Sequence, residues 1–271
     1  MSLITITQNL GSGGMAIARQ VAEGLNIELY DDERLQAEAL EMNIRSDMFR
    51  NLDKKKPGLF DRILGKNPDL YLDLMEAVVY KASRHGQGVI IGHGSQMLLR
   101  DFGCALHVRI HAAMTQRIRN LMKTQNLSQE SAEKLIRKSD IGRNGFFNFA
   151  FQRDLNDPSL YDLIINTEKI GNETATKFII DLATSDEIST CSLTALEAME
   201  KMSQTKKVEA VLLENDINLS MLYIEAPEKG KILINGLTTT QDEKDRISKA
   251  IRGMPEITDF QSNIEIASGG F

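Results

Sequence analysis

Several residue types are scarce in this chain of 271 residues, and each scarcity excludes a class of protein. Only two cysteines occur, Cys104 and Cys191, far apart in the sequence, so neither a disulfide framework nor a zinc cluster is expected. Four scattered histidines predict no histidine metal site, and we expect no bound metal held by the protein alone. The net charge of −6 argues against a nucleic-acid partner, because such proteins usually carry a basic face.

Long apolar stretches are also missing. No run approaches the roughly 20 residues that a membrane-spanning helix needs. The first residues pass directly into a strand pattern, without the basic segment and cleavage site of a secretory leader. Together with the low cysteine content, this pattern predicts a cytoplasmic protein. The 42% hydrophobic and 26% charged residues are typical of a folded chain with one large domain, or a large and a small one.

The most informative pattern that is present is a glycine-rich turn near the start. Leu3–Thr7 is apolar and β-branched, Gly11–Gly14 follows, and Met15–Gly24 has the apolar spacing of a helix. A strand, a glycine turn and a helix N-terminus present backbone N–H groups to an anion. The turn therefore predicts a phosphate site, formed by Gly11, Ser12, Gly13, Gly14, Met15 and Ala16.

Two other interpretations of this turn stay open from the residues alone. Gly11–Ala16 also fits G-x-G-x-x-A, and Asp31–Asp32 lies near the distance expected for ribose recognition by a dinucleotide-binding domain. The Arg- and Lys-rich segment 113–143 favours a different ligand, because a dinucleotide domain has no need for it there. A tight strand-to-helix turn without any ligand is the third possibility.

Strands and helices alternate over the first 180 residues or so. Strand patterns at 88–94, 105–110 and 163–166 are separated by helix patterns at 68–85, 113–125 and 128–139, and another helix pattern covers 173–183. This order predicts an α/β fold, a doubly wound parallel sheet with helices on both faces. From about Thr184 the order becomes helix, strand, strand, helix, strand, which predicts a small C-terminal α+β domain. The predicted limits are 1–184, a linker or helix over 185–204, and 205–271.

Several of these segments together resemble one family. The run from Ile4 through the glycine turn to Tyr30-Asp31, then Val89–Gly94, Arg117-Ile118, Asp140 with Arg143, and Leu160–Thr167 are similar in order and spacing to the cytidylate kinase-like family. The resemblance covers roughly residues 3–183. It implies the fold of a P-loop nucleoside monophosphate kinase. It also implies transfer of the γ-phosphoryl group of ATP, with Mg²⁺, to CMP or dCMP.

The resemblance also implies roles for individual residues. Gly11–Ala16 would surround the phosphates of ATP, and the acceptor side would include Asp31, Asp32, Arg34 and His93. The lid would carry Arg117, Arg137 and Arg143, because arginines neutralise charge on the transferring phosphoryl group. Asp140 would orient Arg143 or help to order metal-bound water.

The chain departs from the family at the positions that carry charge. Gly14 stands where the P-loop lysine is expected, Ala16 where a Mg²⁺-binding hydroxyl is expected, and Met15 and His93 where arginines are common. Loss of one preorganised donor costs about 2.7–4 kcal/mol of barrier. Lys54–Lys56 and Arg143 are candidates to substitute. The sequence therefore leaves two functions open: a nucleotide kinase, or a nucleotide-binding regulatory protein with weak or no catalysis.

The C-terminal segment has a resemblance of its own. Gly230–Gly236 is similar to the glycine hairpin of BON domains, and the likeness continues to the end of the chain. BON-like domains are associated with binding phospholipid, ligands or proteins, and they carry no catalytic motif. A ferredoxin-like or dimerisation module is the alternative. We therefore expect a protein or phospholipid partner, or a second copy of the chain.

Overall fold

The computed structural model describes residues 2–42, 68–188 and 190–267. The candidate cations Lys54–Lys56 lie outside these ranges. The chain packs as two compact units, one formed by Met1–Asp32 with His85–Ala195 and the other by Glu33–Arg84 with Leu196–Phe271. The domain limits given above stay a prediction. Among the helices described, none combines the length and the apolar character that crossing a bilayer requires.

The first unit is a parallel sheet covered by helices, which confirms the predicted α/β fold. Its five strands are arranged in the order β2-β3-β1-β4-β5. A dinucleotide-binding domain places its second strand beside its first, whereas here β3 takes that place. The strands of the first unit are β1 (Leu3–Gln8), β2 (Leu29–Tyr30), β3 (Gly88–Ile91), β4 (Ala105–His111) and β5 (Leu163–Asn166). Its helices are α1 (Gly14–Leu25), α4 (Ser95–Leu98), α5 (Met114–Gln125), α6 (Gln129–Phe151) and α7 (Asn172–Ala183). Helix α2 (Asp32–Glu41) begins at the last residue of the first unit and continues in the second, which also contains α3 (Pro68–Ser83).

The two faces of this sheet differ in chemistry. Side chains alternate along a strand, so Ile4 and Ile6 share one face with Val108 and pack under α1 and α7. The opposite face carries Thr5 and Thr7, whose neighbours on β4 are polar as well. A helix-covered sheet face is usually apolar, because a buried polar group needs a partner. The polar face therefore identifies a region with a role besides packing.

The strand order also locates a crevice. Strand β1 lies between β3 and β4. The connection after β1 leads to β2, on the side of β3, whereas the connection after β3 leads to β4 on the other side, so the two connections run in opposite directions. At such a switch point the loops after the strands separate and leave room for a ligand beyond their carboxyl ends. The bordering segments are Asn9–Gly13, which we call the glycine loop, and Gly92–Gly94, which we call the second turn.

The helix α6 is longer than the sequence predicts. The pattern ends at Ser139 because Gly142 and Gly145 follow, yet the helix continues to Phe151. Tertiary contacts outweigh the low helix propensity of glycine, since Arg143 is anchored to β1 and Phe147 is buried. This extension decides where Arg143 lies.

The sequence predicts no disulfide framework, yet the two cysteines form one disulfide. Cys104, just before β4, is bonded to Cys191 in the connector after α7. The two residues are separated by 87 positions, so no local spacing indicates the pairing. Leu3 is the neighbour of Ala105, which places the bridge at the amino end of the sheet, opposite the glycine loop.

The second unit contains a small mixed sheet, as the predicted α+β order requires. Its strands are β6 (Leu222–Glu225), β7 (Lys231–Thr238) and β8 (Asp259–Ile266), with β6 antiparallel and β8 parallel to β7. Helix α9 (Gln241–Arg252) covers one face, where Ile224, Ile234 and Ile247 are buried.

The sequence patterns predict two helices before this sheet, over 193–202 and 208–215, and the structure joins them in a single helix, α8 (Leu193–Glu214). The polar segment between the two predicted helices is held by contacts that the sequence does not show. Ser203 donates a hydrogen bond to Ala77 of α3, and Lys206 forms ion pairs with Asp73 and Glu76 of the same helix.

Candidate functional site

The glycine loop has a backbone that only glycine accommodates at two positions. Gly11 and Gly13 adopt φ angles of 83° and 86°, in the left-handed region that side chains disfavour. A Cβ at Gly11 would lie 2.8 Å from the Arg117 carbonyl oxygen, and one at Gly13 would lie 2.9 Å from Asn172 Oδ1. The loop thus turns tightly into α1, which begins at Gly14. This geometry brings backbone N–H groups and a helix N-terminus to the crevice.

A buried arginine fixes the start of this loop. Arg117 of α5 is 5% exposed, and its Nε donates to the Leu10 carbonyl oxygen at 2.7 Å. Its two terminal nitrogens donate to both carboxylate oxygens of Asp140, at 2.8 and 2.7 Å. A bidentate pair of this kind holds both groups in one orientation. Arg117 and Asp140, both predicted as site residues, therefore come together directly behind the loop.

Side chains also donate to two further carbonyl oxygens of the loop. Asn120 donates to the Gly11 oxygen at 2.8 Å, and Thr167 donates to the Ser12 oxygen at 2.7 Å. Ser12 is buried, and its hydroxyl donates to the Ile110 oxygen at 3.3 Å. With its carbonyl oxygens engaged in this way, the loop presents fewer acceptors that would repel an anion. No sequence pattern indicates Asn120, because its partner is a backbone atom.

At Gly14, where the P-loop lysine is expected, Gln8 occupies the space that a side chain would need. A Cβ at Gly14 would lie 2.6 Å from both Cβ and Oε1 of Gln8, so no side chain fits there unless Gln8 moves. Arg143 of α6 donates to the Gln8 carbonyl oxygen. The structure thus brings the Arg143 cation to the end of β1, next to the loop. Of the adjoining predicted positions, Met15 packs against the apolar core and Ala16 is exposed.

The second turn carries an ion pair. His93 has a φ of 56° between Gly92 and Gly94, which also have positive φ angles. Its Nε2 lies 2.5 Å from Oδ1 of Asp32, at the start of α2. The hydrogen bond from His93 lowers the pKa of the exposed Asp32 carboxyl below its ordinary value, with a smaller contribution from the positive charge of Arg143. A Cβ at Gly92 would meet open space, whereas one at Gly94 would clash with Phe151.

The remaining predicted residues are not among these contacts. Arg137 is exposed on α6 and pairs with Glu133, four residues earlier. Arg34 pairs with Glu38 on α2, and Asp31 follows β2 in a half-buried position. An exposed pair such as Arg137–Glu133 contributes little to stability. The structure thus groups Asp32, His93 and Arg143 near the glycine loop and leaves Arg137 on a solvated helix face.

A second group of polar residues, which was not predicted from the sequence, lies at the polar face of the sheet. We call Thr7, Ser95, Gln96, Arg109 and Tyr161 the buried polar cluster, and each is at most 9% exposed. Arg109 donates to the Leu155 oxygen, to Tyr161 Oη at 3.1 Å and to Asn156 Oδ1 at 2.7 Å. Alternating Thr and Arg residues within apolar strands are the signal that could have found it.

The buried polar cluster is incompletely paired. Among the residues described, Thr7 Oγ1, Ser95 Oγ and Gln96 Oε1 are buried without a hydrogen-bond partner. Burial raises the pKa of the Tyr161 hydroxyl, so this group stays protonated at neutral pH. Unpaired buried polar atoms are rare in folded proteins, and each calls for an explanation.

A protein-held metal centre is not formed by these groups. Within residues 2–42, 68–188 and 190–267, no three His, Cys, Asp or Glu side chains are placed to hold a metal ion. Asp32 and Asp140, the two carboxylates closest to the glycine loop in these contacts, are engaged by His93 and Arg117.

Comparison with known proteins agrees with this geometry. The model of the cytidylate kinase-like family matches residues 3–169. The cytidylate kinase of Pyrobaculum islandicum is 25% identical over 186 residues, which cover 67% of this chain and 92% of that protein. The cytidylate kinase of Pyrobaculum aerophilum is 21% identical over 182 residues, with the same shares covered.

A solved structure extends the comparison to the fold. The crystal structure of an uncharacterized protein from Eubacterium ventriosum superimposes with a TM-score of 0.52 at 24% identity, covering 68% of this chain and 99% of that one. The family match includes the glycine loop, the second turn, Arg117, Asp140 and Arg143. With more than half of its length matched, this chain belongs to the cytidylate kinase-like family.

Proposed function

We propose that the protein binds ATP at the glycine loop and transfers its γ-phosphoryl group to a nucleoside monophosphate of the CMP type. The observation that carries the proposal is the loop itself, with two left-handed glycines and carbonyl oxygens held by Arg117, Asn120 and Thr167. Family membership supports the same reaction class. We place ATP at Gly11–Ala16 and the acceptor beside Asp31, Asp32, Arg34 and His93.

The loop fits the phosphate part of ATP. Gly11 and Gly13 adopt left-handed φ angles, so the loop backbone curls tightly and can turn N–H groups toward a phosphate. The N-terminus of α1 adds positive potential at the same place. The protein's own contribution is to preorganise these donors, which lowers the cost of ordering them when the charged group binds.

The glycine loop supplies no side-chain ligand for Mg²⁺ at the position where a hydroxyl is expected. Mg²⁺ bound to a nucleotide keeps several waters and needs only one or two carboxylates, and it neutralises the phosphate charge during transfer. Ala16 supplies no hydroxyl for it. Asp32 is the exposed carboxylate near the crevice, and Asp140 stands behind the loop. Mg²⁺ would therefore arrive with ATP and depend on these two carboxylates through water.

Arg143 is our candidate for the cation that replaces the P-loop lysine. It lies at the end of β1 through its bond to the Gln8 oxygen, and its charge contributes to lowering the pKa of Asp32. A guanidinium at this point can balance negative charge on the transferring group. Arg117 acts differently in this proposal, because it positions the loop and Asp140, while Arg137 would have to reach the site from an exposed face.

A coupled assay tests the reaction directly. The full chain is mixed with ATP, Mg²⁺ and each of a panel of nucleoside monophosphates, and release of ADP is followed. We expect turnover with an acceptor of the CMP type. Arg143→Gln should lower kcat by about a hundredfold or more, as loss of one preorganised donor does, while the exposed Arg137→Gln serves as its matched control. No turnover with any acceptor at high enzyme concentration would reject the catalytic role.

Met15→Arg tests the other departure from the family. If loss of charge at this position limits the reaction, the added guanidinium should raise kcat. An unchanged rate would show that Met15 is not what limits catalysis.

A nucleotide-sensing protein is the second candidate, and Gly14 is the observation that favours it. Gln8 fills the space that a lysine side chain would need, so this loop holds phosphate without the usual cation from within it. In that role, ATP binding would be measurable by calorimetry and turnover would be absent. Failure to bind any nucleotide would reject both candidates.

The C-terminal unit would then supply the partner contact. One face of its sheet is open, and Tyr223 and Leu237 on it are 64% and 37% exposed. We propose that a BON-like domain uses this face for a protein, a phospholipid or a second copy of the chain, in a cytoplasmic protein. Cosedimentation with phosphatidylglycerol vesicles and the oligomeric mass in solution distinguish these partners, and Tyr223→Ser should weaken whichever is observed.

A further inference from the structure

The disulfide joins two segments of the first unit that are far apart in the sequence. Cys104 directly precedes β4, and Cys191 lies in the connector between α7 and α8, of which the structure describes residues 184–188 and 190–192. The two positions are 87 residues apart, so the bond closes a ring that contains β4, α5, α6, β5 and α7. It ties the connector to the amino end of the sheet, at the opposite end from the glycine loop.

Noncovalent contacts hold the same two segments together besides the bond. Ser2, directly before β1, donates from its hydroxyl to the Ala183 carbonyl oxygen at 2.8 Å, at the end of α7, and β1 is the neighbour of β4. Ile188 of the connector packs against the apolar core under α1 and α7. Because of these contacts, the two sulfur atoms stay near each other after reduction. The chain has no other cysteine, so no wrong pairing competes when the bond forms again.

The two cysteines differ in exposure. Cys104 is 6% exposed, whereas Cys191 is half-buried between Thr190 and Ser192, which are both exposed. A cavity of about 380 Å³ is lined by connector residues up to Thr190, the neighbour of Cys191. Exchange at a disulfide requires that a thiolate reach one of its sulfur atoms. A small thiol that approaches from solvent therefore meets Cys191 first.

We propose that Cys104 and Cys191 form a reversible redox site, which a small thiol of the glutathione class opens and which controls how firmly the connector is held. A thiolate attacks Cys191 Sγ, the bond to Cys104 Sγ breaks, and Cys104 leaves with the electron pair and takes up a proton. A second thiolate attacks the outer sulfur of the mixed disulfide and releases Cys191, which is protonated in turn. Two electrons thus pass to the protein, and the two small thiols leave joined as their disulfide.

The proposed cytoplasmic location gives this chemistry a direction. Glutathione keeps thiols reduced in the cytoplasm, so disulfides in cytoplasmic proteins are usually transient and serve catalysis or redox sensing. The bond then forms under oxidising conditions and is lost when the glutathione pool is reduced again. The inference goes beyond the proposed reaction and does not depend on which nucleotide the crevice binds.

Equilibration with glutathione tests the reversibility. The full chain is incubated at a series of ratios of reduced to oxidised glutathione, free thiols are alkylated, and the labelled peptides are identified by mass. We expect Cys104 and Cys191 to change together, bonded in oxidised glutathione and free in millimolar reduced glutathione. A bond that survives millimolar reduced glutathione would be purely structural and would overturn the inference. Cysteines that stay free in oxidised glutathione would overturn it as well.

Single variants test the order of attack. Cys104→Ser leaves Cys191 alone, and we expect oxidised glutathione to add one glutathionyl group there. Cys191→Ser leaves the buried Cys104, which should stay unmodified in the folded protein and react once the protein is denatured. Equal modification of the two folded variants would reject Cys191 as the point of attack.

Limited proteolysis measures the effect on the connector. Glu187 is exposed there, so a glutamate-specific protease can cut after it. We expect this cleavage to be severalfold faster in the reduced chain, and Tm to be about 5–10 °C lower, because the closed ring restricts the unfolded chain. In the double variant Cys104→Ser/Cys191→Ser, the control, a reductant should change neither value. Equal cleavage rates of reduced and oxidised wild type would overturn the inference, and this comparison needs no variant to fold.

Discussion

Two buried arginines in the first unit show opposite solutions to burying a positive charge. Arg117 is 5% exposed and pairs with both oxygens of Asp140, whereas Arg109 is 7% exposed and donates only to neutral oxygens. Around Arg117 the contacts of the glycine loop are satisfied. Around Arg109 three polar atoms are left unpaired. Complete pairing suits a loop that must stay fixed.

A half-buried positive charge in the second unit shows the reverse imbalance, with more carboxylates around it than one cation can neutralise. The Lys206 ammonium lies within 3.1 Å of carboxylate oxygens from Asp73, Glu76 and Glu209. Burial is the main cause that raises the pKa of Asp73, to about 7, despite the neighbouring ammonium. Because one ammonium group faces three carboxylates, Asp73 gains or loses its proton near neutral pH, where most experiments are done.

Of the variants considered, one that lacks the Arg117 guanidinium should lose the most stability. Arg117→Met leaves the Asp140 carboxylate without its bidentate partner and frees the Leu10 oxygen. We expect the free energy of unfolding to fall by about 3 kcal/mol, measured with denaturant, and ATP binding to weaken. Arg137→Met, in an exposed pair, is the control and should change stability by less than about 0.5 kcal/mol. Equal losses in the two variants would contradict the assigned role.

Gly13→Val tests whether the loop backbone is essential. A β-branched side chain in the left-handed region costs about 2 kcal/mol, and its Cβ would meet Asn172 Oδ1. We expect lower stability and no measurable ATP binding by calorimetry. Gly142→Ala is the control, since Gly142 lies in α6 with open space around its Cα, and it should gain up to about 1 kcal/mol. Retained ATP affinity in Gly13→Val would place the ligand elsewhere.

Arg109→Met sharpens the contrast between the two arginines. Its partners are a carbonyl, a hydroxyl and an amide, so its removal leaves no unpaired charge behind. We expect a loss of about 1–2 kcal/mol in the free energy of unfolding, smaller than for Arg117→Met. The comparison fails if Arg109→Met proves the more destabilising of the two.

The smallest effect concerns Asp73 and depends on pH. The folded pKa of about 7 exceeds the ordinary value of 3.8, so the folded protein holds an extra proton between these values. Its stability should therefore fall as pH rises from about 4 through 7. Asp73→Asn mimics the protonated form, so its gain in the free energy of unfolding should be close to zero below about pH 4, intermediate at pH 5 and largest at pH 8.

A surface carboxylate provides the control for that prediction. Asp181, in an exposed pair with Lys177, should give a pH-independent change below about 0.5 kcal/mol when replaced by Asn. An Asp73→Asn variant that is less stable than the wild type at pH 8 would show that its ion pair with Lys206 dominates instead.

Local patterns predicted much of the fold and the phosphate loop. The parallel sheet, the glycine turn and the β-strand order of the second unit all follow from periodicity and from glycine positions. The errors occur where distant contacts outweigh local signals. Helix α6 runs through Gly142 and Gly145 because Arg143 and Phe147 find partners, and α8 is continuous because Lys206 pairs with α3.

By itself, the sequence determined the α/β architecture and the glycine turn, because hydrophobic spacing and glycine's backbone freedom are properties of neighbouring residues. Only the tertiary structure decided the disulfide, the grouping of Asp32, His93 and Arg143, and the unpaired Gln96 acceptor. These depend on which distant groups meet, and burial and pairing are properties of the surroundings rather than of the residue.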